Sequence, residues 1–142
     1  MLNRFLEAQT ERAYALLRIV SGLLFTFHGF QKLFGFLGGH LQSPGSQLWF
    51  GAIIEVVCGL AIAFGAFTRW AGFLASGTMA VAYVQFHWKL RFDAAFFPAI
   101  NQGELAVIDC FLFLLLACKG GGEWSVDSLR SRGEPSPTNS IR

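Results

Sequence analysis

The sequence predicts an all-α membrane protein, an antiparallel bundle of four transmembrane helices with both termini cytoplasmic. Three observations predict it. Of 142 residues, 54% are hydrophobic, 16 are Phe and only 14% are charged, an apolar surplus that a soluble domain of this size has no interior to hold. Residues 48–67 and 70–88 each form an apolar run of about 20 residues with at most one formal charge, the length of a bilayer-crossing helix. Two further apolar segments bring the spans to four, and little sequence remains to give a soluble bundle its polar outer faces.

The first span, residues 14–36, follows a mixed-charge segment with Arg4, Glu7, Glu11 and Arg12. No small-x-small motif closes it, so it reads as a retained helix rather than a cleaved leader. A turn-rich loop over residues 38–47 leads into the second span, 48–67. Thr68-Arg69 reads as a very tight turn, which makes the second and third spans antiparallel neighbours. The third span, 70–88, ends at Trp88, and Trp49 and Trp70 also stand at span ends, where an amphipathic ring prefers the headgroup level. The next connection mixes Phe92, Phe96 and Phe97 with Arg91 and Asp93, and reads as an interfacial loop or lid. The fourth span is placed at 101–118, because residues 104–118 alone rise only about 22 Å. Residues 1–128 thus form a single membrane domain, and the Ser-, Pro- and Arg-rich stretch 129–142 is expected to be a disordered tail.

Lys and Arg near the span ends set the orientation. The side with both termini carries Arg4, Arg12, Arg69, Lys119, Arg130, Arg132 and Arg142, against Lys32, Lys89 and Arg91 on the other. The net charge of +2 is therefore a topology marker, and no basic stripe interleaved with aromatics points to nucleic acid. Cys58, Cys110 and Cys118 all fall inside spans without a Cys-x-x-Cys spacing, which gives neither a disulfide framework nor a thioredoxin-like motif.

Charged groups in hydrocarbon cost several kcal/mol unless they are paired, hydrated or reaching for the interface. The residues that invite explanation are Arg18, His28, Lys32, Glu55, His87, Glu104 and Asp109, with Gln31 and Gln85 beside them. Arg18, Gly22, Phe25, Gly29 and Lys32 recur at helical spacing and share one face of the first span with His28 adjoining. Gly51, Glu55 and Gly59 lie on a small-residue face of the second, which turns Glu55 toward the bundle. A rise of about 1.5 Å per residue from the cytoplasmic ends puts Glu55 at about 17 Å, His28 at about 21 Å and Gln85 at about 23 Å. Lys32, His87 and Glu104 fall at about 21 to 27 Å, so the group gathers in the outer half of the bundle. Arg18 lies only about 6 Å from the cytoplasmic end, within snorkelling reach, and ranks with Asp109 as a secondary candidate.

Two readings of this cluster stand side by side. One is an ion-pair knot, Glu55 with His28 or Lys32 and Glu104 with Lys32, fixing helix register. The other is a polar pocket formed by His28, Lys32, Glu55, Gln85, His87 and Glu104 that binds a small molecule or passes protons. No metal site is expected, since His-x-x-x-His and Glu-x-x-His spacings are absent within the spans. No residue declares itself catalytic.

Arg18-Ile19-x-x-Gly22, Phe27-His28-Gly29-x-x-Lys32-Leu33-Phe34-Gly35, Glu55-x-x-Cys58-Gly59, Gly65-x-x-Thr68-Arg69, Asn101-Gln102-Gly103-Glu104 and Trp124-Ser125-Val126-Asp127 together resemble the DoxX family of small bacterial membrane proteins. The resemblance runs from Leu16 to Asp127. Cys58 and Gln102 stand where the family usually has glycine, and Gly121 where it often has proline. The resemblance implies a four-helix protein of the bacterial inner membrane, in a family named after a subunit of a thiosulfate:quinone oxidoreductase. It makes quinone the candidate cofactor, and a soluble or membrane redox protein the candidate partner besides the bilayer itself and a second copy of the chain. The chain would at most be a membrane subunit of an oxidoreductase. Two alternatives remain open, a non-catalytic scaffold that docks a soluble redox or stress enzyme, and a small transporter or channel acting as an oligomer.

Overall fold

The computed structural model describes residues 1–133, and all regular structure among them is helical. A short exposed helix, α1 (Leu2–Ala8), breaks at Gln9 into the long α2 (Thr10–Phe34). α3 (Gln47–Phe64) and α4 (Thr68–Ala82) follow, and α4 continues as a π-helical turn over Tyr83–Trp88. After the small helix α5 (Pro98–Asn101), α6 (Glu104–Lys119) returns through the bundle and α7 (Val126–Gly133) lies across its end. α2 and α3 are each long and apolar enough to cross a membrane.

The helices pair as α2 with α3 and α4 with α6, joined through an α3–α4 interface. Small residues set these pairings, because in lipid close backbone approach replaces hydrophobic burial as the attraction between helices. A Cβ on Gly22 would stand 2.7 Å from Gly59 O, and one on Gly29 would stand 2.7 Å from Ala52 O. Rising numbers on α2 thus meet falling numbers on α3, so the two run antiparallel. Gly72 likewise lets α4 close on α6, since its Cβ would lie 2.9 Å from Phe113 O. Where larger side chains meet, Phe25 of α2 packs on Phe113 of α6 with ring centroids 4.6 Å apart, above fully buried Ile62 and Leu116.

The outward faces are apolar instead of polar. Leu16, Val20 and Leu23 on α2, Val57 and Phe64 on α3, Trp70 and Phe73 on α4, and Ile108, Phe111 and Leu115 on α6 are all exposed. A girdle of this kind suits lipid contact.

The end of the bundle that holds both described termini, here the base, is tied by side chains that satisfy helix ends. Arg18, fully buried, donates to Ile62 O at 2.6 Å and Ala63 O at 2.7 Å, the last carbonyls of α3, and to Trp124 O at 2.8 Å. Arg69 does the same for α6, donating to Ala117 O at 3.2 Å and also to Cys118 O. Tyr14 Oη donates to Gly120 O at 2.5 Å. Gly65 turns the chain between α3 and α4 at φ 68°, and a Cβ there would also stand 2.8 Å from an Arg18 nitrogen, so both conformation and space require glycine.

Four expectations are corrected by these elements. The tight turn is Gly65–Phe67, and Thr68 and Arg69 are the first residues of α4. The fourth long helix begins at Glu104 and not at Asn101, because Gln102 takes a left-handed φ of 60° and breaks α5 from α6. Arg18 does not snorkel: it is fully buried, with Nη1 capping the end of α3 and Nη2 on the backbone of Glu123 and Trp124, while Nε has no partner among the described residues. The stretch expected to be irregular from residue 129 is helical as far as Gly133, and the rest of that tail, residues 134–142, lies outside the described residues.

Candidate functional site

At the opposite end, the crown, the polar residues converge on the ion pair between Lys32 of α2 and Glu55 of α3. Gly29 brings α2 against α3 one turn below, and this close approach sets Lys32 beside Glu55. Glu55 is 2% exposed. Lys32 Nζ donates to Glu55 Oε1, while Glu55 Oε2 has no hydrogen-bond partner among the described residues. An acceptor left unmatched in a buried place costs about 1 to 3 kcal/mol, more when charged, and so marks a place suited to a donor.

Two cavities meet at this pair. The larger, about 600 Å³, opens sideways between α3 and α4. Its walls are Ile54, Phe73, Leu74 and Val81, and its polar groups are Lys32, Glu55, Gln47, Thr78 and His87. Part of its space comes from missing side chains, since a Cβ on Gly51 or Gly77 would meet nothing within 4 Å. The smaller, about 200 Å³, lies on the other side of the pair and is lined by His28, Gln102 and Asp109 as well as Lys32, Glu55 and His87. A third hollow between α2 and α6 continues from His28 and Asp109 to the outside of the bundle.

His87 reaches this place through the π-helical turn, whose wider winding is closed by Lys89 N donating to Val84 O at 2.9 Å. Its Nδ1 lies 3.2 Å from Asn101 O. A carbonyl oxygen only accepts, so Nδ1 carries the hydrogen, and in the neutral ring Nε2 is left as an acceptor. The loop above is built on aromatic edges, with Trp88 against Phe92 and Phe96 at 5.4 and 5.3 Å, and Tyr83 Oη donating to Phe96 O at 2.6 Å.

The predicted residues therefore divide. Lys32, Glu55 and His87 come together at the junction of the cavities, with His28 and Asp109 along the smaller one. His28 is itself exposed on the α2–α6 side and is not the partner of Glu55. Gln85 is exposed and hydrogen-bonds Gln47 at the crown instead of lining either cavity. Glu104 stands exposed at the start of α6, lines neither cavity and makes no pair with Lys32. Gly51 serves space in the cavity wall and not close helix approach. Sequence reasoning missed Gly77, Gln47 and the backbone of Asn101. For Gly77 a signal was present, a helix-interior glycine facing outward, which costs about 0.5 to 1 kcal/mol against Ala without a packing reason.

A second cleft, about 700 Å³ and open, lies at the base among Glu11, Thr68, Arg69, Lys119 and Asp127. Four of its charges are engaged, and Glu123 stands exposed beside them: Lys119 pairs with Glu11 at 2.7 Å, Arg69 holds carbonyls of α6, and Asp127 accepts from Phe67 N and Thr68 N at 2.8 and 2.9 Å. Burial raises the Asp127 carboxyl, but these bonds, the Thr68 hydroxyl and the charge of Arg130 outweigh it and hold its pKa below the ordinary value.

The family model described as DoxX matches residues 13–88. An uncharacterized protein of Haemophilus influenzae is 36% identical over 118 residues, which cover 80% of this chain and 87% of that protein. No solved structure matches the chain.

Proposed function

Because the chain belongs to the DoxX family of membrane proteins, we propose that it is a redox-associated subunit of the bacterial inner membrane that holds a lipid-soluble quinone in the lateral cavity. α2, α3, α4 with its π-helical turn, and α6 all cross the bilayer, and both termini face the cytoplasm. The exposed apolar girdle on all four helices supports the crossing, and the excess of Lys and Arg at the base supports the orientation.

The observation that carries the reading is the lateral cavity itself: about 600 Å³, apolar along its walls, with the buried Lys32–Glu55 pair and His87 among its lining groups. That volume is within the ordinary range for small-molecule sites. A sideways mouth admits a ligand dissolved in the membrane, and the empty faces of Gly51 and Gly77 give a flat ring room between α3 and α4. The residues fit such a headgroup. Lys32 has ammonium hydrogens beyond the one given to Glu55, and can donate to a ring oxygen. A bound quinone supplies two-electron, two-proton chemistry. The chain's part is to bind and orient the ring and to hold a proton at Glu55 or His87, with electrons supplied by a partner protein.

The test is binding of a decyl-tailed benzoquinone to the purified protein in lipid nanodiscs. Saturable binding that Gly77→Leu abolishes is the expected result. No saturable binding, or binding that Gly77→Leu leaves unchanged, refutes the reading.

A further inference from the structure

The polar groups of the lateral cavity are unbalanced in a way that sorts ligands by hydrogen-bond type. Resting on the reading of the cavity as a quinone site, we propose that it selects the reduced, hydroxyl-bearing form of its ligand over the form that carries only carbonyls. Lys32, Glu55 and His87 converge there, and their donors and acceptors do not balance.

Glu55 is a buried carboxylate paired with an ammonium, and an ionised carboxylate accepts only. One of its oxygens takes the Lys32 hydrogen and the other takes none. His87 has its Nδ1 hydrogen committed to Asn101 O, so in the neutral tautomer Nε2 is the ring's acceptor. At this pair two acceptors are thus unmatched, Glu55 Oε2 being buried, against the spare hydrogens of Lys32, whose side chain is 34% exposed and can also be solvated; Gln47 and Thr78, farther along the lining, carry both donor and acceptor and so do not tip the balance.

At the Lys32–Glu55 pair a carbonyl-only ring gains a hydrogen bond from Lys32 alone, and brings its negative oxygen end close to a carboxylate. A ring with hydroxyl groups can donate to Glu55 or His87 while accepting from Lys32. Its apolar tail lies along Phe73, Leu74 and Val81 in either case, so the tail does not discriminate. A hydrogen bond to a charged acceptor is worth enough to give a preference of about tenfold.

The experiment measures equilibrium binding of three decyl-tailed probes to the full chain in nanodiscs under anaerobic conditions: a benzoquinone, its quinol, and the dimethyl ether of that quinol. The expected order has the quinol about tenfold tighter than the other two. Glu55→Gln, whose amide both donates and accepts, should shrink the gap between quinol and quinone to near unity. Equal binding of quinol and dimethyl ether overturns the inference, and so does tighter binding of the quinone. The ether comparison needs no protein variant, so it decides the matter even if Glu55→Gln fails to fold. Absence of saturable binding for every probe refutes the underlying reading of the cavity, an outcome distinct from binding without preference.

Discussion

Asp127 caps α4 from a distance of 59 residues in the chain, its carboxylate accepting the Thr68 N–H at 2.9 Å and the Thr68 hydroxyl at 2.8 Å. Phe67, the residue before the helix, is in a left-handed conformation and its side chain carries no acceptor, so the first N–H groups of α4 depend on α7 for one. Asp127→Ala should destabilise the protein by about 1 kcal/mol, a middle value for a lost N-cap at a half-buried site. Because the folded carboxyl titrates below its unfolded value, its contribution is complete above about pH 4 and fades as pH falls through the folded pKa. Thermal unfolding in mild detergent should show the gap between Asp127→Ala and the wild type narrowing with acid below that point. A gap that widens with acid would contradict the assignment.

Arg18 serves four carbonyls on two segments, Ile62 O and Ala63 O on one and Glu123 O and Trp124 O on the other, from a fully buried position. Arg18→Met leaves Ala63 O and Trp124 O without a donor, while Ile62 O keeps the Gly65 N–H, and should cost about 2 kcal/mol or more. Arg18→Lys keeps the charge but loses the planar fork, so it should fall between the two. Unfolding midpoints of the three proteins in one detergent check the order, and a lysine variant as stable as the wild type would show that charge alone suffices.

The Lys32–Glu55 pair predicts an asymmetric mutational cycle. Lys32→Met strands a carboxylate that is 3% exposed, which for a buried pair costs about 3 to 5 kcal/mol. Glu55→Gln frees a lysine that is 34% exposed and can find water, so the loss should be smaller. The double variant should recover much of the Lys32→Met loss, with a coupling above about 1 kcal/mol. Additive losses would mean that the two side chains act independently.

Two glycines on neighbouring helices should respond in opposite ways. Gly77→Leu places its side chain in open space on α4 and gains helix propensity of about 0.5 to 1 kcal/mol, so stability should hold or rise while the cavity closes. Gly59→Leu drives a Cβ toward Thr26 and to within 2.7 Å of Gly22 O, and should part α2 from α3. Loss of fold in Gly77→Leu would refute the open cavity.

Orientation can be read at Cys118, the exposed cysteine near the base end of α6. A membrane-impermeant maleimide should label it in inverted vesicles and leave it untouched in intact spheroplasts. The reverse pattern would place the base outside.

The cluster at the crown was only partly legible in the sequence. Helical spacing identified the inward face of α2, and the structure buries Arg18, Gly22, Phe25 and Gly29 there. Depth along the axis also pointed to Lys32, Glu55 and His87. It failed for Glu104, because depth says nothing about which way a residue faces, and the break at Gln102-Gly103 starts α6 anew with Glu104 turned outward. α6 is apolar on all sides, so its sequence carried no face to read: Ile108, Phe111 and Leu115 point out while Phe113 and Leu116 point in.

The sequence by itself determined an all-helical chain of membrane character, the charged residues that needed partners, and membership of the DoxX family. Only the tertiary structure decided that Lys32 and not His28 pairs with Glu55, that Arg18 and Asp127 are spent on helix ends, and that Gly51 and Gly77 leave a cavity instead of a contact. The reason is physical. A helix facing lipid is as apolar outside as inside, so hydrophobic pattern fixes where it runs but not how it is rotated. Rotation is set by the few places where backbones touch, Gly22 on Gly59 and Gly72 on Phe113, and those contacts exist only once the helices have met.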